Sequence, residues 1–395
     1  MASKIIIRVV QTAFVILLFG VLFAGFARAY LFPIEINEYE NRKANQAPAL
    51  SLGAFLSGDF QNDLDSALSD QVFGAEDAKK NYNDLESNIS YSFLSKIYEA
   101  YPDRYFEYND VLVFNTEYLL FPPRELNDAA KAGFDLKADS INSVADKYKD
   151  IDFYAYYIEK DTDINFETGE KIGFYEYIET LIDREKCKLG CYTIDSFEEY
   201  AEKFYKIDHH WNNVGSYDGY LKICSLLGIE DAIEKGEEFL VGEKIIGSKL
   251  ALAKNTESWT DSLYAYKYDF PEMKVKVNGE FKDYGNQNLT GDKFLKEEES
   301  LSYSLYFGSD AGEIVFKTGN EELDNILVIG DSFDNAVLKL LACHYNGTHS
   351  VDLRNYEHYM GKKFDFDSYV EENDIDKVLF IGNIDYFILE EFNVG

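Results

Sequence analysis

The chain has 395 residues, of which 46% are hydrophobic and 16% aromatic, so it can bury a core and is not of the disordered class. Its length suits one large α/β domain with additional segments. The 38 Lys and Arg residues face 72 Asp and Glu residues, and the net charge of −34 excludes nucleic acid as an expected partner because phosphates would be repelled.

An apolar segment near the N-terminus predicts that the rest of the chain is exported. Val9 to Ala27 is almost wholly apolar and follows Lys4 and Arg8. About 19 helical residues span most of a bilayer core, and the positive-inside rule places the N-terminus in the cytoplasm and the acidic body outside. A signal peptide cleaved near Ala29 is the alternative. The run is long for a signal peptide, so we favour an uncleaved single-pass anchor at residues 1–32.

The next predicted region, residues 33–100, combines a stalk and a helical neck. Residues 34–50 are polar, and from Ser51 to Leu94 apolar residues recur at helical spacing. Residues 101–395 are predicted to be the main α/β domain. This domain begins with Tyr-, Phe- and Val-rich runs at 103–121, which predict strands.

The middle of the chain predicts an α/β unit followed by a different kind of segment. Residues 127–148 predict an amphipathic helix, Asp150 to Tyr157 a buried strand, and 215–228 a further helix. The segment 229–320 contains Lys/Val alternation, Gly-containing turns and the run Tyr303-Ser-Leu-Tyr-Phe. These features predict β-hairpins inserted into the α/β domain.

The C-terminal quarter alternates short apolar strands with helices. Strands are predicted at Ile326 to Gly330, Ser350 to Leu353 and Val378 to Ile381, with helices at 334–343 and 366–373. This order predicts parallel strands joined by right-handed crossovers. Functional side chains in such sheets gather at the C-terminal ends of the strands.

Ser332 lies at one of these strand ends, in Val-Ile-Gly-Asp-Ser-Phe. A serine at a strand-to-helix turn is lifted out of the sheet, and the N–H groups at the helix start can hold an oxyanion during acyl transfer. The second glycine of the Gly-x-Ser-x-Gly elbow is missing. The alternative is that Ser332 only caps the helix.

A base for Ser332 is found among only five histidines, two of which are adjacent. In an extended segment, Asp208 and His210 would point the same way, so the carboxylate can orient the imidazole and stabilise its protonated form. Two alternatives stay open. The segment is a structural turn that packs Trp211, or Asp208, His209 and His210 bind a metal with a remote carboxylate.

The four cysteines give little functional information. Cys187 and Cys191 are close in a short polar segment that we interpret as a loop, where they form either a local disulfide or part of a metal site. Cys224 and Cys343 lie in apolar, helix-like surroundings and are expected to be buried small hydrophobic residues.

Asp208-His209-His210-Trp211 resembles the namesake motif of the DHHW family. That family is similar to the SGNH-like proteins that O-acetylate alginate in the bacterial periplasm, which carry Asp-x-His-Trp upstream of a Gly-Asp-Ser-Phe-like nucleophile. The resemblance covers most of residues 38–385, with departures at 73–76 and 158–161. Further similar segments are Glu40-Asn-Arg42, Ser57-Gly-Asp-Phe60, Asp70-Gln-Val-Phe73, Phe307-Gly308 and Asp352-Leu-Arg354-Asn-Tyr356.

The resemblance implies an SGNH-hydrolase-like fold, with a parallel sheet flanked by helices and an inserted β-rich segment. It implies Ser332 as the nucleophile, His210 as the base and Asp208 as its orienting carboxylate. Arg354, on the strand that follows, would position substrate or form a salt bridge. The remaining residues expected to hold the oxyanion or the substrate are Ser332 through its N–H, Asn383, His209 and Trp211.

The resemblance also implies a reaction and its partners. Ser332 would pass an acetyl group to a cell-surface polysaccharide outside the cytoplasm, with no cofactor and no metal. A membrane-bound O-acyltransferase would deliver the acetyl group from the cytoplasm. Two alternatives remain: a carbohydrate acetylesterase, or a catalytically silent protein that binds glycan or acts as a scaffold.

Overall fold

The computed structural model describes residues 2–34, 36–37, 42–49, 51–71, 75–254, 259–295, 301–390 and 393–394. The chain divides into two compact units, Met1–Ser92 and Phe93–Gly395. Three segments named in the sequence analysis lie partly outside the described residues. The missing positions are 40 and 41 of segment 40–42, 72 and 73 of segment 70–73, and 73 and 74 of segment 73–76.

The first unit is mainly helical, which confirms the helices predicted after Ser51. A short antiparallel pair joins Ile36–Asn37 to Arg42–Lys43. The unit boundary falls within the last of the helices, which are Ala2–Leu31, Leu52–Ser57, Asp59–Gln71 and Ala75–Tyr98.

The segment Gln11–Leu31 has a mean hydropathy of 2.1 and is, among the described helices, the one long and apolar enough to cross a membrane. Its length and composition suit both an anchor and a signal sequence, so both alternatives remain.

Two buried side chains organise the polar stretch that follows this helix. Gln71 accepts a hydrogen bond from the Ile34 N–H at 2.8 Å and donates to the Ile34 carbonyl at 3.0 Å. Asp70 accepts from both the backbone and the side-chain amide of Asn45, at 2.8 and 3.0 Å. Asp70 and Gln71, which belong to a segment that resembles the DHHW family, therefore bind residues 34 and 45 to the helix Asp59–Gln71.

The second unit is built on one eight-stranded mixed sheet, in the order β4-β3-β5-β7-β6-β8-β1-β2. Its strands in chain order are β1 Asp152–Ile158, β2 Cys187–Tyr192, β3 Lys274–Val277, β4 Glu280–Phe281, β5 Glu313–Lys317, β6 Asn325–Gly330, β7 Gly347–Val351 and β8 Lys377–Gly382. The predicted parallel pairing is confirmed for β7, β6, β8 and β1. β2, which the sequence analysis did not predict as a strand, also pairs parallel, with β1. The other three strands extend the sheet antiparallel, which corrects the expectation of a purely parallel sheet.

The strand order reverses at β6. From β6 the chain passes to β7 on one side and then returns to β8 on the other side. Such a switch point opens a crevice outside the C-terminal end of the strand, which is where α/β sheets place ligands. The residues just after Gly330 therefore lie at the position where α/β sheets commonly bind ligands.

Helices pack against the sheet through buried apolar residues. In Asp128–Lys147 the buried stripe is Phe134, Ala138, Ile141 and Ala145, at helical spacing. The other helices of the unit are Phe174–Glu179, Phe197–Lys203, Asn213–Leu227, Ser248–Ala253, Gly291–Phe294, Tyr303–Phe307, Asn335–Leu341, a 3₁₀ turn at Ala342–His344, Leu353–Met360, Phe366–Glu372 and Ile384–Ile388.

Short strands complete the second unit. The strands predicted at 103–121 are confirmed as an antiparallel three-stranded sheet. Among its described residues, the segment 229–320, which is predicted to hold β-hairpins, contains the β3–β4 hairpin, strand β5 and a separate antiparallel pair. The helix Ser248–Ala253 lies between the two strands of that pair, so they are not joined by a short hairpin turn. The strands outside the main sheet are Tyr105–Tyr108, Val111–Phe114, Tyr118–Leu120, Ile164–Asn165, Glu170–Lys171, Glu238–Glu243 and Ser262–Tyr266.

Three local predictions are wrong: the conformation of Tyr303 to Phe307, the end of the strand at Leu353, and the loop assigned to Cys187 and Cys191. Tyr303 to Phe307 is a helix and not part of a hairpin, because the Ser302 hydroxyl caps its N-terminus by accepting from the Leu305 N–H at 3.2 Å. The strand predicted to reach Leu353 ends at Val351, since Asp352 caps the next helix.

Cys187 and Cys191 lie on β2 and not in a loop. Four residues of extended strand separate their Cα atoms by roughly 13 Å, whereas a disulfide requires about 4.4–6.8 Å. Both thiols are free, and the separation is too large for a local disulfide or for one metal ion bound by both thiols.

Candidate active site

Ser332 lies two residues beyond the C-terminal end of β6, where the strand order reverses, and its side chain is half-buried. Gly330 makes this turn possible. A Cβ at Gly330 would lie 2.5 Å from an Asp334 carboxylate oxygen and 2.9 Å from the Ile381 side chain. The turn therefore folds back tightly on its own strand and presents the serine beyond the sheet.

The structure brings the three residues expected to be catalytic into one hydrogen-bonded chain. His210 Nε2 lies 2.8 Å from the Ser332 hydroxyl oxygen, and His210 Nδ1 lies 2.6 Å from Asp208 Oδ1. His210 and Ser332 are 122 residues apart in the sequence. This geometry suits proton transfer from the hydroxyl to the imidazole, with the carboxylate fixing the ring.

The Asp208–His210 segment is a bend and not the extended stretch expected from the sequence. It lies between Phe204 and Trp211, which form an isolated antiparallel bridge. Asp208 Oδ1 also accepts the backbone N–H of His210 at 3.0 Å, an Asx turn. The turn, and not strand alternation, places the carboxylate against the ring.

The Asp208 carboxylate is buried and fully engaged. Its second oxygen accepts the N–H of Ser248 at 2.9 Å, from the first residue of the helix Ser248–Ala253. Burial alone would raise the pKa of Asp208, but the charge and hydrogen bond of His210 and the Ser248 N–H outweigh it and hold that pKa well below its usual range. Asp208 is therefore a stable anion beside the imidazole.

His209 occupies the exposed side of the site. Its Nδ1 lies 2.6 Å from the Ser248 hydroxyl, its ring lies 3.8 Å from that of His210, and about a quarter of its side chain is exposed (26%). Burial of the ring, followed by proximity to His210, lowers the pKa of His209 well below 6.5, so the ring is neutral at pH 7.

Trp211 has no exposed surface, so the structure gives it a packing role in place of the expected substrate contact. Its six-membered ring sits where a Cβ on Gly219 would be, 2.5 Å from the nearest ring carbon. Its indole also packs edge-on against Phe333, immediately after the serine. The tryptophan thus joins the His210 segment to the helix Asn213–Leu227 and to the serine turn.

Tyr303 and Ser248 are site residues that the sequence did not indicate. The Tyr303 ring is stacked on His210 with centroids 3.8 Å apart and planes 4° apart, and its hydroxyl donates to the Ser332 carbonyl at 3.1 Å. Tyr303 lies in a Tyr-rich run resembling a strand. Ser248 contributes a backbone N–H, which no side-chain pattern could reveal.

The turn around Ser332 is rich in buried acids. Burial raises the pKa of Asp331 to about 6, and burial with the adjacent Asp331 raises the pKa of Asp334 well above its usual value. Asp331 accepts the Phe333 N–H at 3.0 Å and an amide N–H of Asn383 at 3.1 Å. Its carbonyl accepts the Asp334 N–H at 3.0 Å. The Phe333 and Asp334 N–H groups therefore hold the turn together, so they are not the helix-start oxyanion donors expected from the sequence.

Two further expected site residues make structural contacts. Asn383 caps the helix Ile384–Ile388, and its amide donates to Asp331, so it contacts the residue before Ser332. Arg354 lies in the helix Leu353–Met360 and not on a strand. It forms ion pairs with Asp352 at 2.6 Å and Asp310 at 3.1 Å, as in the salt-bridge alternative.

A buried ion pair lies behind the histidines. Lys249, the residue after Ser248, contacts Asp161 at 2.5 Å, and both side chains are fully buried. Its ammonium group also donates to the Tyr200 hydroxyl at 2.7 Å, and Asp161 accepts the Phe121 N–H at 2.9 Å. The ion pair connects the helix Ser248–Ala253, whose first N–H binds Asp208, to the loop after β1.

Asp208, His209 and His210 are also the residues whose ligand atoms could hold a metal ion, since these atoms lie within 4.8 Å of one another. In this arrangement, however, both nitrogens of His210 and the Nδ1 of His209 are hydrogen-bonded to protein partners. A metal would have to displace these bonds, so the geometry suits proton relay better than metal ligation.

Comparison with known proteins assigns the family. The model of the DHHW protein family matches residues 149–351, just over half of the chain and including the Asp208–Trp211 motif. The chain therefore belongs to the DHHW family. No curated protein matches it.

Solved structures share the fold at low identity. PatB1 from Bacillus cereus, in a structure with a sulfonyl adduct, is 22% identical with a TM-score of 0.56, covering 72% of this chain and 98% of PatB1. A DHHW family protein from Eubacterium siraeum is 14% identical with a TM-score of 0.54, covering 73% of this chain and 95% of the other. The O-acetyltransferase domain of Pseudomonas putida AlgJ aligns at 8% identity over 71% of this chain and 91% of that domain, but its TM-score of 0.38 is too low to support an argument.

Proposed function

We propose that this chain is a serine-dependent O-acyltransferase of the SGNH-hydrolase type that acetylates a cell-surface polysaccharide outside the cytoplasm. The observation that carries the proposal is the continuous Asp208–His210–Ser332 hydrogen-bonded chain at the C-terminal end of β6. A serine that only capped a helix would not need an imidazole at 2.8 Å backed by a buried carboxylate.

The chemistry follows from these contacts. His210 Nε2 takes the proton of Ser332 as its oxygen attacks the carbonyl carbon of an acyl donor, and the backbone N–H of Ser332 is assigned to the resulting oxyanion. His210 then gives the proton to the leaving group, which departs and leaves an ester on Ser332. In the second half, His210 takes the proton of an acceptor hydroxyl as the acceptor oxygen attacks the ester carbonyl. The bond between the acyl carbon and the Ser332 oxygen then breaks, the acylated acceptor leaves, and His210 returns the proton to the Ser332 oxygen.

The setting of the reaction is also part of the proposal. The Gln11–Leu31 helix supports a single membrane anchor, with the acidic second unit outside the cytoplasm. Family resemblance supports acetyl as the acyl group, a polysaccharide as the acceptor and a membrane-bound O-acyltransferase as the partner that delivers acetyl. The strongly acidic composition speaks against nucleic acid as a partner.

Two other functions use the same fold. An acetylesterase would have the same catalytic residues, with water in place of the sugar hydroxyl. A silent glycan-binding or scaffold protein would keep the fold without needing the serine. The close imidazole–hydroxyl contact favours an active enzyme over the silent alternative.

The test is covalent labelling of the full-length chain in detergent with a fluorophosphonate or sulfonyl fluoride probe, followed by intact mass and peptide mapping. We expect one adduct on Ser332 that is lost in Ser332→Ala and His210→Ala. Ser309→Ala, which changes an exposed serine outside the hydrogen-bonded chain, is the matched control and should label normally.

Absence of an adduct in the folded wild-type chain, both in detergent and in native membranes, would refute the nucleophile. If labelling succeeds, an acetyl-donor assay with and without an oligosaccharide separates transferase from esterase. Transfer to the sugar in preference to water is the result expected of the transferase.

A further inference from the structure

Tyr303 makes two contacts with the catalytic pair at once. Its ring lies face to face with the His210 imidazole, and its hydroxyl donates to the backbone carbonyl of Ser332 at 3.1 Å. The side chain is 2% exposed, so both contacts are shielded from water. One residue therefore touches both the base and the nucleophile, which approach each other from distant parts of the chain.

Each contact restrains a different degree of freedom. Asp208 holds one edge of the His210 ring through Nδ1, which still allows the ring to tilt about that bond. A parallel aromatic surface on one face of the imidazole opposes this tilt. The hydroxyl contact restrains the peptide that carries Ser332, so the serine oxygen and His210 Nε2 stay within hydrogen-bonding distance.

The helix that carries Tyr303 is itself fixed. Ser302 caps its first turn, and the Tyr303 ring is 4.9 Å from that of Phe307, one turn later. Its own helix thus fixes the Tyr303 side chain, whose ring face contacts His210 and whose hydroxyl contacts the Ser332 carbonyl.

We propose that Tyr303 is a positioning residue that aligns His210 with Ser332 for acylation. The inference rests on the proposed function, because it assumes that Ser332 is the nucleophile. Because its side chain is almost wholly buried, the proposal gives Tyr303 no contact with the substrate or the transferred group. It sets the geometry in which proton transfer and attack occur, where a displacement of about 1 Å costs roughly 100-fold in rate.

The experiment measures the rate constant of Ser332 labelling at saturating sulfonyl fluoride, and the half-saturating concentration, in the full-length chain. Tyr303→Leu, which removes both contacts, should lower the rate constant by about 10- to 100-fold with the half-saturating concentration unchanged. Tyr303→Phe keeps the stacked ring and loses one neutral hydrogen bond, so it should recover the rate to within about 3- to 10-fold of wild type.

Tyr306→Leu is the matched control. Tyr306 lies on the same helix, is fully buried, and packs on Phe307 and Phe294, with its hydroxyl accepting the Asn288 N–H at 3.1 Å. Its removal costs the same kind of core packing without touching His210. We expect a lowered melting temperature and an unchanged labelling rate per folded molecule.

A spectroscopic measurement accompanies the kinetics. The carbon-bound protons of the His210 ring lie over the Tyr303 ring, so they should resonate upfield in the wild-type chain and in Tyr303→Phe. In Tyr303→Leu the upfield shift should disappear.

The outcomes are distinct. If Tyr303→Leu labels at the wild-type rate, or if Tyr306→Leu is slowed equally per folded molecule, the positioning role is overturned while Ser332 remains the nucleophile. If the wild-type chain is not labelled at Ser332 at all, the proposed function fails, and the positioning role fails with it.

Discussion

Replacing Asp208 by Asn tests the electrostatic basis of the site without changing its shape. The carboxylate accepts three N–H groups, two from His210 on one oxygen and one from Ser248 on the other. An amide has only one oxygen. The oxygen is expected on the His210 side, because two donors lie there, which leaves the amide nitrogen against the Ser248 N–H and one donor unsatisfied.

The main effect is the loss of charge. When His210 takes the serine proton, it becomes a cation beside the anionic Asp208, at 2.6 Å between Nδ1 and Oδ1. With charge centres about 4 Å apart and an effective dielectric constant near 20, the attraction is about 4 kcal/mol. At about 1.4 kcal/mol for each tenfold change, Asp208→Asn should slow acylation of Ser332 by about 1,000-fold.

The assay is the saturating rate constant for labelling of Ser332, measured on protein shown to be folded by near-UV circular dichroism. Asp261→Asn is the matched control. Asp261 accepts the N–H groups of Lys206 at 2.7 Å and Ser262 at 2.8 Å, so it also holds the histidine segment but does not touch the ring. A loss of less than tenfold in Asp208→Asn, or an equal loss in Asp261→Asn, would refute the electrostatic argument.

Two further predictions concern stability. Lys249→Met leaves the buried Asp161 carboxylate without its cation and should cost about 3–5 kcal/mol of unfolding free energy, much of it restored by adding Asp161→Asn. Denaturant unfolding of the wild type, Lys249→Met and the double variant checks this, and no rescue in the double variant would contradict it. Burial raises the pKa of Asp331 from 3.8 to about 6, so the folded chain binds this proton more tightly than the unfolded chain and stability falls as pH rises from about 4 to 6. The melting temperature of Asp331→Asn relative to wild type should therefore rise across this window and level off above about pH 7, whereas a pH-independent difference would show that Asp331 does not titrate there.

The sequence by itself determined the strands and helices that can be recognised from the pattern of consecutive residues. The apolar strands that became β1, β6 and β8 were predicted nearly to their bounds, because strands buried on both faces read as continuous apolar runs. The placement of Ser332 after one of them followed from the order of strands and helices. The pairing of Ser332 with His210 came from the scarcity of histidines and from family resemblance.

Only the tertiary structure decided what depends on distant contacts. Whether a hairpin joins the main sheet, as β3 and β4 do, is set by the exposed edge of β5 and not by the hairpin's own residues. Trp211 and Tyr303 are both aromatic, yet Trp211 packs against Gly219 and Tyr303 packs against the His210 imidazole. Long-range packing assigns these roles because aromatic residues bury equally well in either place, and the sequence around each carries no record of the surface that it meets.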